Sequence, residues 1–71
     1  MILQYNERDY DNINEQIVAL SKRIAGNERL QDQYIAKHGF QSDEIYKEHD
    51  RLCDTMCELV AKRSEIAECI F

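Results

Sequence analysis

Apolar residues recur along the first half of the chain in alternating steps of three and four. The series comprises Tyr10, Ile13, Ile17, Leu20 and Ile24. Because an α-helix turns once in about 3.6 residues, these steps place the side chains on one face of a helix. The same register continues through the polar residues Asn27 and Gln31 to Tyr34, so the stripe becomes polar toward its end. The pattern predicts one long amphipathic helix over about 7–38.

Residues that commonly mark helix termini stand at the start and at the end of this helix. Asn6 can accept hydrogen bonds from the free amides of the first turn, and acidic residues follow where the helix dipole favours negative charge. At the other end, Gly39 can adopt the left-handed conformation that terminates a helix. The predicted helix therefore has a defined start and a defined stop.

The second half of the chain carries another stripe with the same spacing. Its members are Ile45, His49, Leu52, Met56, Leu59, Arg63, Ile66 and Ile70, with Cys53, Val60 and Ala67 beside them. Ser42 can cap this second helix, which we expect over about 43–70. The turn, 39–42, is short, and a short connection returns the second helix antiparallel to the first. The sequence predicts an all-α antiparallel helical hairpin.

Gly26 and Asn27 leave an alternative open. Glycine can end one helix and asparagine can cap the next, so a break here would give a three-helix bundle. Against a break, Ile35 returns to the phase of the preceding isoleucines. We favour the continuous helix. The chain then forms a single helical domain, 1–71, with 1–6 as a short N-terminal arm.

A hairpin of amphipathic helices cannot bury both stripes completely, because its two helices share only one seam. A chain of 71 residues also has a thin core, and small folds often gain stability by association. We therefore expect two copies to form a homodimeric four-helix bundle. The predicted interface comprises Tyr10, Ile13, Ile17, Leu20, Ile24, Leu52, Met56, Leu59, Ile66 and Ile70.

Charge and composition narrow the partners and the compartment. The net charge of −5 argues against nucleic-acid binding, which normally uses a basic surface. The sequence has no run of about 20 apolar residues, so we expect no membrane span, and its start does not resemble a secretory signal. Three cysteines, an odd number, favour reduced thiols over a disulfide framework. We expect a cytoplasmic protein.

His49, Cys53 and Cys57 are the candidates for chemistry, because their spacing of four places successive side chains one turn apart. Imidazole and thiolate groups bind zinc, but a structural zinc site normally needs four ligands. We therefore interpret the three as partly buried packing residues. No other pattern indicates a catalytic residue or a cofactor, and we expect a protein that is not an enzyme.

The stretch from Lys37 to Leu52, which contains the predicted turn and the start of the second helix, resembles the small sporulation-type aspartyl-phosphate phosphatases. These are helical hairpins that act on response regulators, so the resemblance implies a hairpin with a regulatory role. The family's Ser-Gln-Glu-Leu-Asp-like motif falls on positions 49–53, where Leu52 alone agrees. The resemblance therefore does not carry the phosphatase activity to this chain.

Taken together, these features predict a small protein–protein interaction module of the adaptor, chaperone or inhibitor type, which binds through an exposed helical face. The alternatives are a regulatory hairpin similar to those phosphatases and a phage-type inhibitor of a host protein.

Overall fold

The computed structural model describes residues 5–71 of the chain, and these form two helices. Helix α1 spans Glu7–His38 and helix α2 spans Asp43–Ile70. The helices pack against each other as an antiparallel hairpin, and there is no strand within the described range. The predicted hairpin is confirmed, with the helix bounds that the pattern predicts. Residues 1–4 of the predicted N-terminal arm lie outside the described residues.

A reciprocal pair of hydrogen bonds fixes the start of α1. The Asn6 side chain accepts from the backbone N–H of Asp9 at 3.0 Å, and the Asp9 carboxylate accepts from the backbone N–H of Asn6 at 3.0 Å. This capping box satisfies two backbone donors near the helix start. The predicted cap at Asn6 is confirmed, and Asp9 adds the second half of the motif.

The turn between the helices is set by a glycine and a serine. Gly39 has φ of 81°, and its N–H donates to the Ile35 carbonyl at 2.7 Å. This left-handed conformation favours glycine and ends α1. Ser42 then caps α2, because its hydroxyl accepts from the backbone N–H of Ile45 at 3.3 Å. Both predicted signals therefore act at the positions expected for them.

Helix α1 runs without interruption through Gly26 and Asn27, so the three-helix alternative broken at these residues is wrong. Asn27 does not cap a new helix. Its side chain faces α2, is only 8% exposed and donates to the Ile45 carbonyl at 3.4 Å. Because the helical phase continues across Gly26, Asn27 occupies a seam position rather than a helix end.

The hairpin buries few apolar side chains, since it is a thin rod of 56 × 16 × 13 Å. Four of the predicted interface residues are buried between the two helices: Ile13, Leu20, Leu52 and Ile66. The other six are only half-buried: Tyr10, Ile17, Ile24, Met56, Leu59 and Ile70. The seam of the hairpin therefore covers one side of each stripe and leaves the other side partly open.

A candidate protein-binding surface

The uncovered side of α2 carries four residues spaced by seven: Tyr46, Cys53, Val60 and Ala67. This spacing places them in one row along the helix. Tyr46 is 59% exposed and Val60 is 36% exposed, whereas Cys53 and Ala67 are half-buried. The corresponding row on α1 comprises Ile17, Ser21, Ile24 and Ala25. We call these eight residues, of which Ser21 is the polar member, the apolar flank.

A contact near the turn shows that the two rows adjoin. Glu28 Oε2 lies 3.1 Å from His49 Nε2 across the helix interface. Glu28 follows Ile24 by one turn, and His49 lies between Tyr46 and Cys53 on the same side of α2. The rows therefore lie on one side of the hairpin at this end.

A second contact shows that the two rows also lie on the same side of the hairpin at its open end. The rings of Tyr10 and Phe71 meet edge to face, with centroids 5.1 Å apart. Tyr10 precedes Ile17 by two turns, and Phe71 follows Ala67 by about one turn. From Tyr10 to Glu28, the contacts enclose about 27 Å of helix length. The apolar flank thus lies on one side of the hairpin over about half of the 56 Å rod.

The opposite flank is mainly polar, which makes the hairpin one-sided. Its residues include Gln16, Arg23 and Lys37 on α1 and Glu48, Thr55 and Lys62 on α2. Apolar residues on that side are Leu30, which is 55% exposed, and the half-buried Tyr34 and Leu59. On this flank, Lys62 donates a hydrogen bond to the hydroxyl of Tyr5. This bond is the largest contribution that raises the pKa of Lys62 above its ordinary value.

Polar side chains link the helices at several heights. The Gln31 side-chain amide donates to the Ser42 carbonyl at 3.2 Å and accepts from the Ser42 N–H at 2.9 Å. Toward the open end, Arg63 Nη1 donates to Asn14 Oδ1 at 3.4 Å. These contacts fix which residues of α1 lie beside which residues of α2.

An open groove of about 420 Å³ lies at the turn end of the flank. Its lining includes Asn27, Glu28, Gln31, Ile35, Tyr46 and His49. The groove combines an exposed aromatic ring with carboxylate and amide groups. Such a surface suits contact with a protein chain, where aromatic residues are enriched and polar groups surround them.

The predicted chemical cluster is only partly assembled. Cys53 Sγ lies 3.7 Å from His49 Nδ1 and 4.0 Å from Nε2, so the sulfur is in contact with the ring. Cys57 is exposed. Within residues 5–71, no group of three or more His, Cys, Asp or Glu side chains is placed to hold a metal ion. The geometry supports packing of Cys53 against His49 on the flank.

Over residues 5–71, neither helix is long and apolar enough to cross a membrane. Comparison with protein-family models, with curated proteins and with solved structures finds no match. The likeness of the turn region to aspartyl-phosphate phosphatases therefore stays a resemblance.

Two features of this surface were not predicted from the sequence. The sequence pattern does not identify Glu28 as the partner of His49, and it does not by itself place Tyr46 in the row of Cys53 and Val60. The available signal for the row is the step of seven residues from Tyr46 to Cys53, repeated from Cys53 to Val60. The Glu28 contact depends on the relative height of the two helices, which the spacing within one helix does not give.

Proposed function

We propose that this chain is a small, non-enzymatic protein–protein interaction module that binds through its apolar flank. The observation that carries the proposal is the one-sided hairpin. Apolar residues follow one flank over about half of the 56 Å rod, while the opposite flank is mainly charged and polar. Contiguous exposed apolar surface on a small protein marks sites of association.

Bundle completion is the proposed mode of binding. A helical partner laid along the flank contacts Ile17 and Ile24 on one helix and Val60 on the other. It thereby covers the half-buried side of both stripes, and the hairpin supplies two helices of a four-helix bundle. The three free cysteines support a reducing compartment, and we place the protein in the cytoplasm.

Two matched lysine substitutions test the proposal. Val60→Lys places a charge on the apolar flank, and Leu30→Lys places the same charge on the opposite flank, where an exposed apolar residue is also replaced. We expect Val60→Lys to raise the dissociation constant for self-association of the chain at least tenfold, and Leu30→Lys to leave this constant unchanged. Sedimentation velocity measures both. The reverse pattern, or equal effects of the two substitutions, contradicts the proposal.

A further inference from the structure

Two polar contacts between the helices lie symmetrically about the middle of the apolar flank. Toward the turn, Glu28 contacts His49, and toward the open end, Arg63 contacts Asn14. On α1, Ser21 is seven residues from Glu28 and seven from Asn14. The flank therefore has an acidic group on one side of its midpoint and a basic group on the other.

The same symmetry holds on α2, where Met56 is the midpoint. Met56 is seven residues from His49 and seven from Arg63. At a rise of 1.5 Å per residue, each polar contact is about 10 Å from the middle of the flank. Ser21 and Met56 therefore lie at the same height on the two helices. The charged groups of Glu28 and Arg63 are equally far from that height.

We infer that a second copy of this chain covers the apolar flank in the antiparallel orientation, about a twofold axis that passes beside Ser21 and Met56. The inference rests on the proposed function, because it names the occupant of the flank. The rotation places Arg63 of each copy beside Glu28 of the other copy. Ser21 is small and exposed, so it permits close approach of the helices at the axis.

Charge distinguishes this orientation from the parallel one. A twofold axis along the rod keeps each residue at the height of its own equivalent, and it brings the two Arg63 side chains together over the flank. Like charges that face each other across an interface oppose association, whereas opposite charges favour it and fix the orientation. The position of Arg63 therefore favours antiparallel packing.

The exposed area supports a second copy as the occupant. The chain exposes 5639 Å², whereas a globular monomer of its mass exposes about 4,600 Å². The excess of about 1,000 Å² is close to the roughly 800 Å² that each partner buries in a standard-size interface. A rod of equal length also covers the flank from end to end. A dimer of hairpins thus removes the surplus area.

Charge reversal tests the orientation. We expect Arg63→Glu and Glu28→Arg, each alone, to raise the dimer dissociation constant about tenfold, because each places like charges side by side at both ends of the interface. The double variant restores opposite charges and returns the constant to within about threefold of the starting value. Sedimentation equilibrium measures the constant, and circular dichroism checks the helix content of each variant.

Arg23→Glu is the matched control, because it reverses an arginine on the opposite flank. It leaves the constant unchanged if the inference holds. Tighter dimerisation of Arg63→Glu, or a double variant as weak as the single variants, overturns the antiparallel orientation while the proposed function stands. A starting protein that stays monomeric at every concentration overturns the second copy as the occupant of the flank, while the proposed function stands with a partner of another sequence.

Chemical cross-linking gives a second test that needs no charge change. One variant keeps only Cys57, which is next to Met56, and the other carries Ala67→Cys, on the apolar flank, as its only cysteine. Antiparallel packing brings the two copies of Cys57 together near the axis and separates the two copies of residue 67 by about 33 Å, whereas parallel packing keeps both pairs at equal height. A short bismaleimide therefore links the first variant and not the second. Efficient linkage of the Ala67→Cys variant overturns the inference.

Discussion

Gln31 and Ser42 exchange two hydrogen bonds across the turn of the hairpin. The Gln31 side-chain amide donates to the Ser42 carbonyl at 3.2 Å and accepts from the Ser42 backbone N–H at 2.9 Å. One side chain of α1 thus holds both backbone groups of the residue that caps α2. This pair sets the height at which α2 begins relative to α1, and with it the alignment of the rows that form the apolar flank.

Gln31→Ala removes both hydrogen bonds. We expect the free energy of unfolding to fall by about 1–2 kcal/mol, because each side-chain hydrogen bond contributes about 1 kcal/mol. Urea unfolding at fixed protein concentration measures the change. Gln33→Ala is the control, since Gln33 is exposed and the change in helix propensity is the same. Equal losses in the two variants would contradict a role of the Gln31–Ser42 pair in stability.

The buried amide of Asn27 gives an opposite expectation. Asn27 is 8% exposed, and within residues 5–71 no group donates a hydrogen bond to its Oδ1. An unpaired buried polar atom costs about 1–3 kcal/mol. We expect Asn27→Leu to raise the free energy of unfolding by about 1 kcal/mol, since it replaces that amide with apolar surface in the seam. A lower free energy of unfolding in this variant would show that the amide is paired and stabilising.

The two glycines form a matched pair for testing the continuity of α1. Gly26 is helical, and an added Cβ meets no atom within 4 Å, so Gly26→Ala should stabilise the protein by about 1 kcal/mol. Gly39 has φ of 81°, so Gly39→Ala should destabilise it by about 1–2 kcal/mol. Thermal unfolding of both variants measures the effects. A loss of stability in Gly26→Ala would contradict the continuous helix.

Cysteine reactivity reports which flank is covered. Cys53 belongs to the apolar flank, whereas Cys69 is exposed away from it. We expect a chain whose only cysteine is Cys53 to react with a thiol reagent more slowly as protein concentration rises, because association covers the flank. A chain that keeps only Cys69 should react at a constant rate. Concentration-dependent protection of Cys69 alone would place the interface on the other side of the hairpin.

The sequence determines the helices because their signals are local. The spacing of three and four, the cap at Asn6, the stop at Gly39 and the cap at Ser42 each depend on neighbouring residues, and the structure confirms all of them. Gly26 allowed two interpretations from local signals. The buried position of Asn27 against α2 decided between them, and that is a tertiary contact.

The candidate binding surface is harder to predict from the sequence than the helices are. Spacing identified the stripe residues, but it did not separate Leu20, which the hairpin buries, from Ile17, which stays half-buried. That distinction depends on how each helix is rotated toward the other. The Glu28–His49 and Tyr10–Phe71 contacts define the rotation, and they join residues 21 and 61 positions apart. Patterns within one helix do not contain this information.

The central claim is that one flank of the hairpin binds a second copy. Sedimentation equilibrium of the unmodified chain, from low micromolar to millimolar concentration, tests it most directly. We predict an average mass that rises with concentration from the 8.4 kDa of one chain and levels off at twice that value. A mass that stays at 8.4 kDa over the whole range would contradict the account, as would a rise that continues beyond two chains.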